Sequence, residues 1–492
     1  MSATVEATVR EPGVIIGVML GYLAVCTGLG ILAWRRTSSL SDFILGGRSL
    51  GKLVTAFSTA ATDMSGWLLM GFPALAYLSG FDAIWFAAGS MLFAYLNWLF
   101  IAPRIRAQTE RFGDALTLPD YLEARLKDES HLLRVATAII ILVFFTLYTS
   151  SGFVAGGRLL ETLFGLDYLW GLLISSVAIV GYVYIGGFLA VSWSDVLQGV
   201  MMLLALLIVA ALGVGMAGGP GSLVQALEAR DPSFLSPWIG EAGQPLGVIG
   251  IVSLVAFSMG YPGQPHILAR FMATSSVENL DVARRVAMLW QLLALGAAIV
   301  VGLAAVVALP VKLSGADAEK VFIIMAIDYL PAWAAGVCLA GLAAAVMSTA
   351  AAQLLVASSA ATEDLYRLLV NPRATQRQLL RYGRLAVLVV TGLGVVVAMK
   401  PVETVFSLVA WAWAGFGATF GPAVVMCLFW AGTSRNGVFA GMLVGAVTVL
   451  AWRLGDGGIF GLYELVPAAI ASFASIVLVS AVDHRRQQRL AS

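Results

Sequence analysis

The chain has 492 residues, of which 60% belong to the hydrophobic set AVILMFWYC and only 12% are charged. Globular domains carry roughly twice that share of charged side chains, so this chain lacks the polar residues to cover a water-facing surface and a soluble fold is excluded. The formal net charge of +1 provides no field that would attract a nucleic acid. The cysteines are few and scattered through apolar runs, which excludes a disulfide framework and a cysteine metal site; they are Cys26, Cys338 and Cys427.

Membrane-spanning helices are the predicted elements, because a helix satisfies its backbone amides internally and lipid cannot satisfy them. A crossing takes about 20 mostly apolar residues, and scanning the sequence finds thirteen such stretches. They cover approximately residues 13–34, 50–78, 82–103, 133–163, 167–186, 189–217, 246–272, 286–311, 332–362, 380–399, 402–430, 435–454 and 460–482. The predicted fold class is therefore an all-α integral membrane protein with about 13 transmembrane helices.

Basic residues indicate the orientation of these spans. Of the 29 Lys and Arg residues, 22 fall in one alternate set of loops and seven in the other, and the richer set marks the cytoplasmic side. In that set Arg270, Arg284 and Arg285 are assigned to one loop. We therefore expect a multi-pass protein of the cell membrane, with the N-terminus outside and the C-terminus in the cytoplasm.

The second span is interrupted by the polar sequence Thr62-Asp63-Met64-Ser65-Gly66-Trp67 near its midpoint. An aspartate at the centre of a bilayer costs about 2.5–3.5 kcal/mol on insertion scales, so Asp63 should face a cavity and have a partner. No basic residue is predicted at that depth in any other span, which leaves a bound cation or a proton as the partner. A protonated, hydrogen-bonded structural acid is the alternative.

The seventh span contains two prolines and two glycines within Gly260-Tyr261-Pro262-Gly263-Gln264-Pro265-His266. Proline inside a helix removes a hydrogen bond and clashes with the preceding turn, and neither flanking apolar segment is long enough to cross alone. We therefore predict a helix broken at mid-depth. Broken helices five spans apart and opposite in direction predict an inverted repeat of five plus five helices, with substrate and ion bound where the breaks meet.

This repeat divides the chain into five parts. The first part is an extracellular N-terminus, an extra first helix and a cytoplasmic loop, and the last is two accessory helices and a cytoplasmic tail. Between them lie the first repeat, an extracellular loop and the second repeat. The predicted bounds are, in order, 1–49, 50–217, 218–245, 246–430 and 431–492.

The ninth span places two adjacent hydroxyls, Ser348 and Thr349, at the depth of Asp63. Such pairs are ordinary in membrane helices, where they commonly bond to their own backbone. The small residues from Gly341 to Ala352 nevertheless make a thin helix face that lets another backbone approach. Carbonyl oxygens could then join the two hydroxyls around a small hard cation.

No catalytic machinery is visible in the sequence, so an enzyme is not expected. There is no serine elbow and no paired-carboxylate site. The histidines are isolated and have no second ligand at helical spacing, which gives no metal constellation other than a site for an alkali cation; they are His131, His266 and His484.

Six stretches of the chain carry a resemblance to a known family. They are Leu45-Gly46-Gly47-Arg48-Ser49-Leu50-Gly51, Thr62-Asp63-Met64-Ser65-Gly66-Trp67, Gly263-Gln264-Pro265-His266-Ile267-Leu268-Ala269-Arg270-Phe271, Ala344-Ala345-Val346-Met347-Ser348-Thr349, Trp413-Ala414-Gly415-Phe416-Gly417 and Gly461-Leu462-Tyr463-Glu464. Over residues 12–482 the sequence resembles bacterial members of the solute:sodium symporter family. The resemblance implies a leucine-transporter-like core and sodium-coupled symport of L-proline through the bacterial inner membrane by alternating access, with no cofactor besides the transported ion.

The resemblance also implies roles for individual residues. Sodium would be bound by the backbone carbonyls of Ala61, Met64 and Ala345 and by the hydroxyls of Ser348 and Thr349. Asp63 would be the nearby anion. Proline would lie among Ser65, Gly66, Trp67, Tyr148, Phe257, Tyr261 and Pro265. Two further residues match positions that act in gating or coupling at the cytoplasmic side, Arg48 and Asp195.

Two residues of the broken seventh span depart from the pattern of the proline carriers. Phe257 and Pro262 stand where tryptophan and phenylalanine are expected, and both concern the fit of the substrate ring. Symport of another small amino acid or carboxylate is therefore an alternative. A transporter-like nutrient sensor and an ion channel are further alternatives, although no output domain is visible and one aspartate does not make the charged ring or carbonyl filter of a channel.

Overall fold

The computed structural model describes residues 11–400, 404–455 and 457–491, and the regular structure in these ranges is helical. Two isolated β-bridges are the only extended pairings there, Leu50 with Thr274 and Ile239 with Pro245. Ten of the helices are long and apolar enough to cross a membrane. The fold is therefore that of an all-α membrane protein.

The helices fall into two series. The first comprises α1 Pro12–Trp34, α2 Leu40–Leu45, α3 Lys52–Asp63, α4 Gly66–Leu69, α5 Gly71–Ser79, α6 Ala83–Arg111, α7 Leu118–Leu126, α8 Leu132–Phe164 and α9 Tyr168–Met216. The second comprises α10 Pro220–Arg230, α11 Val248–Ala256, α12 Pro265–Met272, α13 Asn279–Ala308, α14 Val321–Tyr329, α15 Ala332–Val370, α16 Gln376–Ala398, α17 Val405–Phe429, α18 Arg435–Arg453 and α19 Leu465–Ala491.

The break predicted in the second span lies between α3 and α4. Met64 (φ −95°, ψ 82°) and Ser65 (φ −73°, ψ −165°) leave the helical conformation. The Met64 amide still bonds to the Ala60 carbonyl, and the helix resumes with the Leu68 amide bonded to the Ser65 carbonyl. The carbonyls just before the break therefore lose their places in a continuous hydrogen-bond ladder.

The break in the seventh span lies between α11 and α12. Residues Phe257–Gly263 form tight 3₁₀ turns, and Gln264 is extended (φ −93°, ψ 100°). The ring of a proline disfavours the helical region for the residue before it, so Pro265 favours this extended conformation of Gln264. The Gln264 side-chain amide then donates to the carbonyls of Gly260 (3.4 Å) and Trp413 (3.2 Å). This amide therefore ties the broken segment to α17.

Helix α9 contains two of the predicted spans. Its 49 residues correspond to a length of about 74 Å at 1.5 Å per residue, far more than the roughly 30 Å of a hydrocarbon core. Gly187 interrupts it with φ 61° and ψ −151°. A Cβ atom at Gly187 would lie 2.6 Å from the Phe43 ring, so both its φ and the close approach require glycine. The count of thirteen crossings stays a prediction.

Several bounds differ from the predicted ones. Helix α6 continues to Arg111, and the predicted loops over 104–132 and 218–245 contain α7 and α10. The last helix begins at Leu465 rather than at 460 and runs on to Ala491. A hydropathy window detects where apolar residues stop, whereas a helix continues for as long as its backbone bonds and caps allow. Residues 1–10, predicted to lie outside the cell, fall outside the described ranges.

Helix α15 lies at the centre of the fold and is almost entirely buried. Small residues let it approach its neighbours, because a Cβ atom at Gly341 would lie 2.7 Å from the Ala205 side chain of α9. On another side it contacts α3 and α4. The ninth span is thus packed directly against the break of the second.

Candidate functional site

Two hydroxyls of α15 bond to the carbonyls at the end of α3. Ser348 Oγ donates to the carbonyl of Ala61 (2.7 Å) and is 3.1 Å from that of Ala345. Thr349 Oγ1 donates to the Thr62 carbonyl at 2.9 Å. All five residues are buried. The structure thus brings three of the predicted sodium ligands together, namely Ala61, Ala345 and Ser348, while Thr349 bonds to Thr62, which the sequence had not indicated.

These groups are neutral oxygen donors, the type that hard cations prefer. Within the described ranges no cluster of His, Cys, Asp or Glu could hold a transition metal. Met64, the remaining predicted ligand, is buried at the break itself. The assignment of these residues to sodium stays a prediction, since hydroxyl-to-carbonyl bonds also stabilise helix pairs without an ion.

Asp63 is the last residue of α3 and joins the two breaks. Its carboxylate accepts a hydrogen bond of 2.6 Å from the Tyr261 hydroxyl, and the Gln291 side-chain amide is 3.3 Å from that hydroxyl. A cavity of about 10 Å³ lies beside Asp63 and is lined also by Thr59 and Asn97. Tyr261, predicted only as a wall of the substrate pocket, is therefore the direct partner of Asp63, and Gln291 was missed.

Aromatic rings surround the predicted substrate position. Phe257 stacks nearly parallel to Phe406 (13°), Trp413 (14°) and Tyr463 (15°), at centroid distances of 5.6–5.8 Å. Trp67 lies 6.5 Å from Phe257. Three of these residues lie outside the predicted pocket, although Trp413 and Tyr463 belong to the stretches that carry the family resemblance.

Several buried polar groups near the breaks have no hydrogen-bond partner within the described part of the chain. They include the hydroxyls of Ser65 and Tyr148, both ring nitrogens of His266 and the Trp413 indole nitrogen. The Tyr148 and His266 rings are 5.8 Å apart. Buried polar groups are normally paired, so a zwitterionic solute with its own donors and acceptors would suit this region.

The other two predicted substrate residues belong to the broken helices themselves. Gly66 begins α4, and a Cβ atom there would lie 3.2 Å from the side chains of both Ala155 and Val346. Pro265 begins α12. Each predicted substrate residue is therefore at a break or, in the case of Tyr148, on a helix packed beside one.

Arg48 joins the segment before α3 to the end of α12. Its guanidinium donates to the carboxylate of Asp114 (2.8 Å) and to the carbonyls of Ala115 (2.9 Å) and Met272 (2.7 Å). The β-bridge of Leu50 with Thr274 lies beside these contacts. This arrangement closes the gap between the two broken helices at one end.

Asp195 belongs to a buried ionic network. Its carboxylate accepts from Ser58 Oγ (2.6 Å) and Thr62 Oγ1 (3.3 Å) and lies 3.6 Å from the Arg270 guanidinium. Arg270 was predicted to lie in a cytoplasmic loop, but it is fully buried. The loop assignment is therefore wrong for this residue, because a hydropathy window counts its charge and cannot detect the buried partner.

Glu319 connects the start of α17 to α8. Its carboxylate pairs with Arg158 at 2.7 Å and accepts from the Val405 and Phe406 amides at 3.0 Å each, which are the first two of α17. Negative charge is favourable at a helix N-terminus. Phe406 belongs to the aromatic group above, so Glu319 links the 3₁₀ helix Gly315–Lys320 to the wall of the predicted substrate region.

The chain matches the model of the "Sodium:solute symporter family" over residues 43–445. It is 44% identical to the "Sodium/proline symporter" of Escherichia coli (strain K12), over 92% of this chain and 90% of that protein. It is 42% identical to the "High-affinity proline transporter PutP" of Bacillus subtilis (strain 168), over 94% and 96%.

Solved structures show the same fold at low sequence identity. A Na⁺-coupled sialic acid symporter in a substrate-bound outward-open state superposes with a TM-score of 0.80 at 18% identity, over 95% of this chain and 98% of that one. A transporter of the nucleobase-cation-symport-1 family superposes with a TM-score of 0.57 at 14% identity, over 91% and 96%. The core therefore has the leucine-transporter-like fold.

Proposed function

Because the chain belongs to the sodium:solute symporter family, we propose that it carries L-proline into the cell together with sodium by alternating access. Two relatives, each more than 40% identical along more than nine tenths of the chain, are named for proline transport. The observation that carries the coupling to an ion is the contact of the Ser348 and Thr349 hydroxyls with the carbonyls at the break after α3.

In this proposal sodium is bound by oxygens from both sides of that contact. The carbonyls come from the broken helix and from α15, and Asp63 provides the compensating charge from nearby. Hard cations take several oxygen ligands, and these residues make up one such set. We therefore propose that one sodium ion accompanies each substrate molecule. The ligands are Ala61, Met64, Ala345, Ser348 and Thr349.

Proline is proposed to bind between the two breaks. Aromatic side chains there offer apolar walls, and the free amides at the start of α4 offer donors to a carboxylate. The residues proposed to contact the substrate are Ser65, Gly66, Trp67, Tyr148, Phe257, Tyr261 and Pro265. The unpaired hydroxyls of Ser65 and Tyr148 support this position.

Coupling is proposed to use Arg48 and Asp195. Arg48 would release its contacts when the cytoplasmic side opens. Asp195 would respond to ion binding through Thr62, because Asp195 accepts a hydrogen bond from the Thr62 hydroxyl and the Thr62 carbonyl accepts one from Thr349. The two repeats, residues 50–217 and 246–430, would move relative to each other. The N-terminus would lie outside and the C-terminus in the cytoplasm, with no catalytic activity and no cofactor besides the transported ion.

Uptake of labelled L-proline by proteoliposomes tests this function. We expect accumulation when sodium is higher outside, and none when potassium replaces sodium. Uptake that is independent of sodium, or binding of proline without any uptake, would contradict symport, and the second result would favour a sensor.

Symport of a different small amino acid or carboxylate is the second candidate. The observation in its favour is that Phe257, which departs from the pattern of the proline carriers, stacks on three other rings at the substrate position. Competition decides between the two. Unlabelled L-proline should compete fully with any other transported solute if proline is the preferred substrate, and weak competition would support the alternative.

A further inference from the structure

An apolar groove lies on the outer surface of the broken seventh span. It has a volume of about 480 Å³ and is formed by α6, the turns between α11 and α12, α17 and α19. Its lining is almost wholly hydrophobic. The residues that matter here are Asn97, Phe100, Met259, Pro262, Val425 and Phe429.

The groove spans about the depth of one lipid leaflet. Along α17 its lining runs from Gly417 to Phe429, a distance of about 18 Å at 1.5 Å per residue. Half of a roughly 30 Å hydrocarbon core is about 15 Å. The mid-membrane end of the groove is at the broken segment, with Met259 and Pro262. The membrane-surface end is at Phe100 and Phe429, which are 43% and 47% exposed. The groove thus has the length of an acyl chain that starts at a membrane surface.

An arginine is held at the membrane-surface end of the groove. The Arg104 guanidinium lies 4.5 Å from the centroid of the Phe429 ring and donates to the Phe100 carbonyl at 3.0 Å. Within the described ranges Arg104 has no carboxylate partner, whereas its neighbour Arg106 pairs with Glu110. An unpaired, positioned arginine is complementary to a phosphate group.

We propose that this groove binds an anionic phospholipid, with its headgroup on Arg104 and one acyl chain extended along α17 to Pro262. The apolar lining, the leaflet-sized length and the uncompensated positive charge of Arg104 together fit this ligand. The site is separate from the ion and substrate site and goes beyond the proposed function.

A lipid in the groove would act on transport through two contacts. The acyl chain would support Met259 and Pro262, which belong to the broken segment that also carries Tyr261. Asn97 lines both the groove and the small cavity beside Asp63, and it begins a π-helical turn of α6, a feature that is frequent at functional sites. Occupancy should therefore strengthen the apparent affinity for sodium.

Native mass spectrometry of the full chain, purified with phosphatidylglycerol or phosphatidylcholine, provides the binding test. We expect wild type and a control, Arg377→Gln, to retain phosphatidylglycerol in preference. Arg377 is likewise exposed and has no carboxylate partner within the described ranges. In Arg104→Gln the retention of phosphatidylglycerol relative to phosphatidylcholine should fall about tenfold. Val425→Phe fills the groove and keeps the arginine, so it should retain less of either lipid.

Transport provides a second readout. In vesicles of phosphatidylcholine with 30% phosphatidylglycerol, the sodium concentration for half-maximal uptake should be severalfold lower for wild type than in pure phosphatidylcholine, and Arg104→Gln should abolish this difference. Equal retention of the two lipids by wild type, or unchanged preference in Arg104→Gln, would overturn the proposal. If wild type is a dimer and Val425→Phe is a monomer with unchanged lipid retention, the groove binds a second copy of the chain and the proposal is overturned. Lipid retention is measured without transport, so the binding results are independent of the proposed function, whereas the uptake readout rests on it.

Discussion

At the scale of single residues, Ser348 and Thr349 bond to different carbonyls, so each hydroxyl can be tested on its own. Removing either hydroxyl should raise the sodium concentration for half-maximal transport by about 10-fold or more, because a hydrogen bond or ligand to a charged group is worth about 1.5–3 kcal/mol. Thr349→Ser keeps the hydroxyl and should remain close to wild type. Proline binding titrated against sodium in Ser348→Ala, Thr349→Ala and Thr349→Ser measures this. Unchanged sodium dependence in both alanine variants would contradict the site.

Asp63 and Tyr261 form a pair that joins the two breaks, so changes at either should affect ion and solute together. Asp63→Asn should nearly abolish coupling by deleting the compensating charge. Tyr261→Phe leaves the buried carboxylate without its donor, which costs about 1–3 kcal/mol, and should weaken the apparent affinities for sodium and proline. Because the linkage of two ligands is reciprocal, a proline defect that persists unchanged at saturating sodium would place Tyr261 in the substrate pocket alone.

Phe257 should affect substrate without affecting the ion. Its ring packs against other aromatic rings at the proposed substrate position, and Phe257 is not among the residues proposed to bind sodium. Phe257→Trp should therefore change the Kd for proline and leave the sodium dependence nearly unchanged. Binding assays at saturating sodium and at saturating proline separate the two, and a parallel change in both would show that this ring takes part in coupling.

At the scale of whole elements, the Glu319 carboxylate holds the segment before α14 to the start of α17. Glu319→Gln removes its charge and one of two acceptors for the Val405 and Phe406 amides, and breaking a buried ion pair costs about 3–5 kcal/mol. We expect a lower melting temperature in detergent and altered proline affinity. Asp317→Asn breaks only an exposed pair with Lys320, worth less than about 1 kcal/mol, and should change neither. Equal effects of the two substitutions would contradict the link to α17.

Elements also show how far prediction from sequence reaches. The length of the apolar stretches predicts the spans, and Pro262 and Pro265 predict a break. The shared depth of Asp63 and Ser348 predicts that α3 and α15 meet. Each of these is a local property of the chain. The pairing of Asp195 with Arg270 and the stack on Phe257 involve residues far apart in sequence, and their contacts arise only from packing. For the same reason Gln291 carried no signal of its own, and Thr62 appeared only as part of the polar interruption, without its partners.

At the scale of the whole molecule, symport of one sodium ion with zwitterionic proline moves one positive charge inward per cycle. A potential of 100 mV supplies about 2.3 kcal/mol per charge and a tenfold sodium gradient about 1.4 kcal/mol. Together these support accumulation on the order of 500-fold. Vesicles with an imposed potassium diffusion potential measure this, and uptake indifferent to the potential would contradict the stoichiometry.

The turn at Gly187 has a consequence for how the chain enters the membrane during synthesis. Helix α9 runs through two predicted crossings with a single non-helical residue and no polar connection between them. Neither half offers the translocation machinery a hydrophilic loop at which to pause, so we expect the two to enter the bilayer together as a helical hairpin. A bulky residue at 187, which would strike Phe43 and strain a positive φ, should then be seen first as a defect of biogenesis, with less protein reaching the membrane.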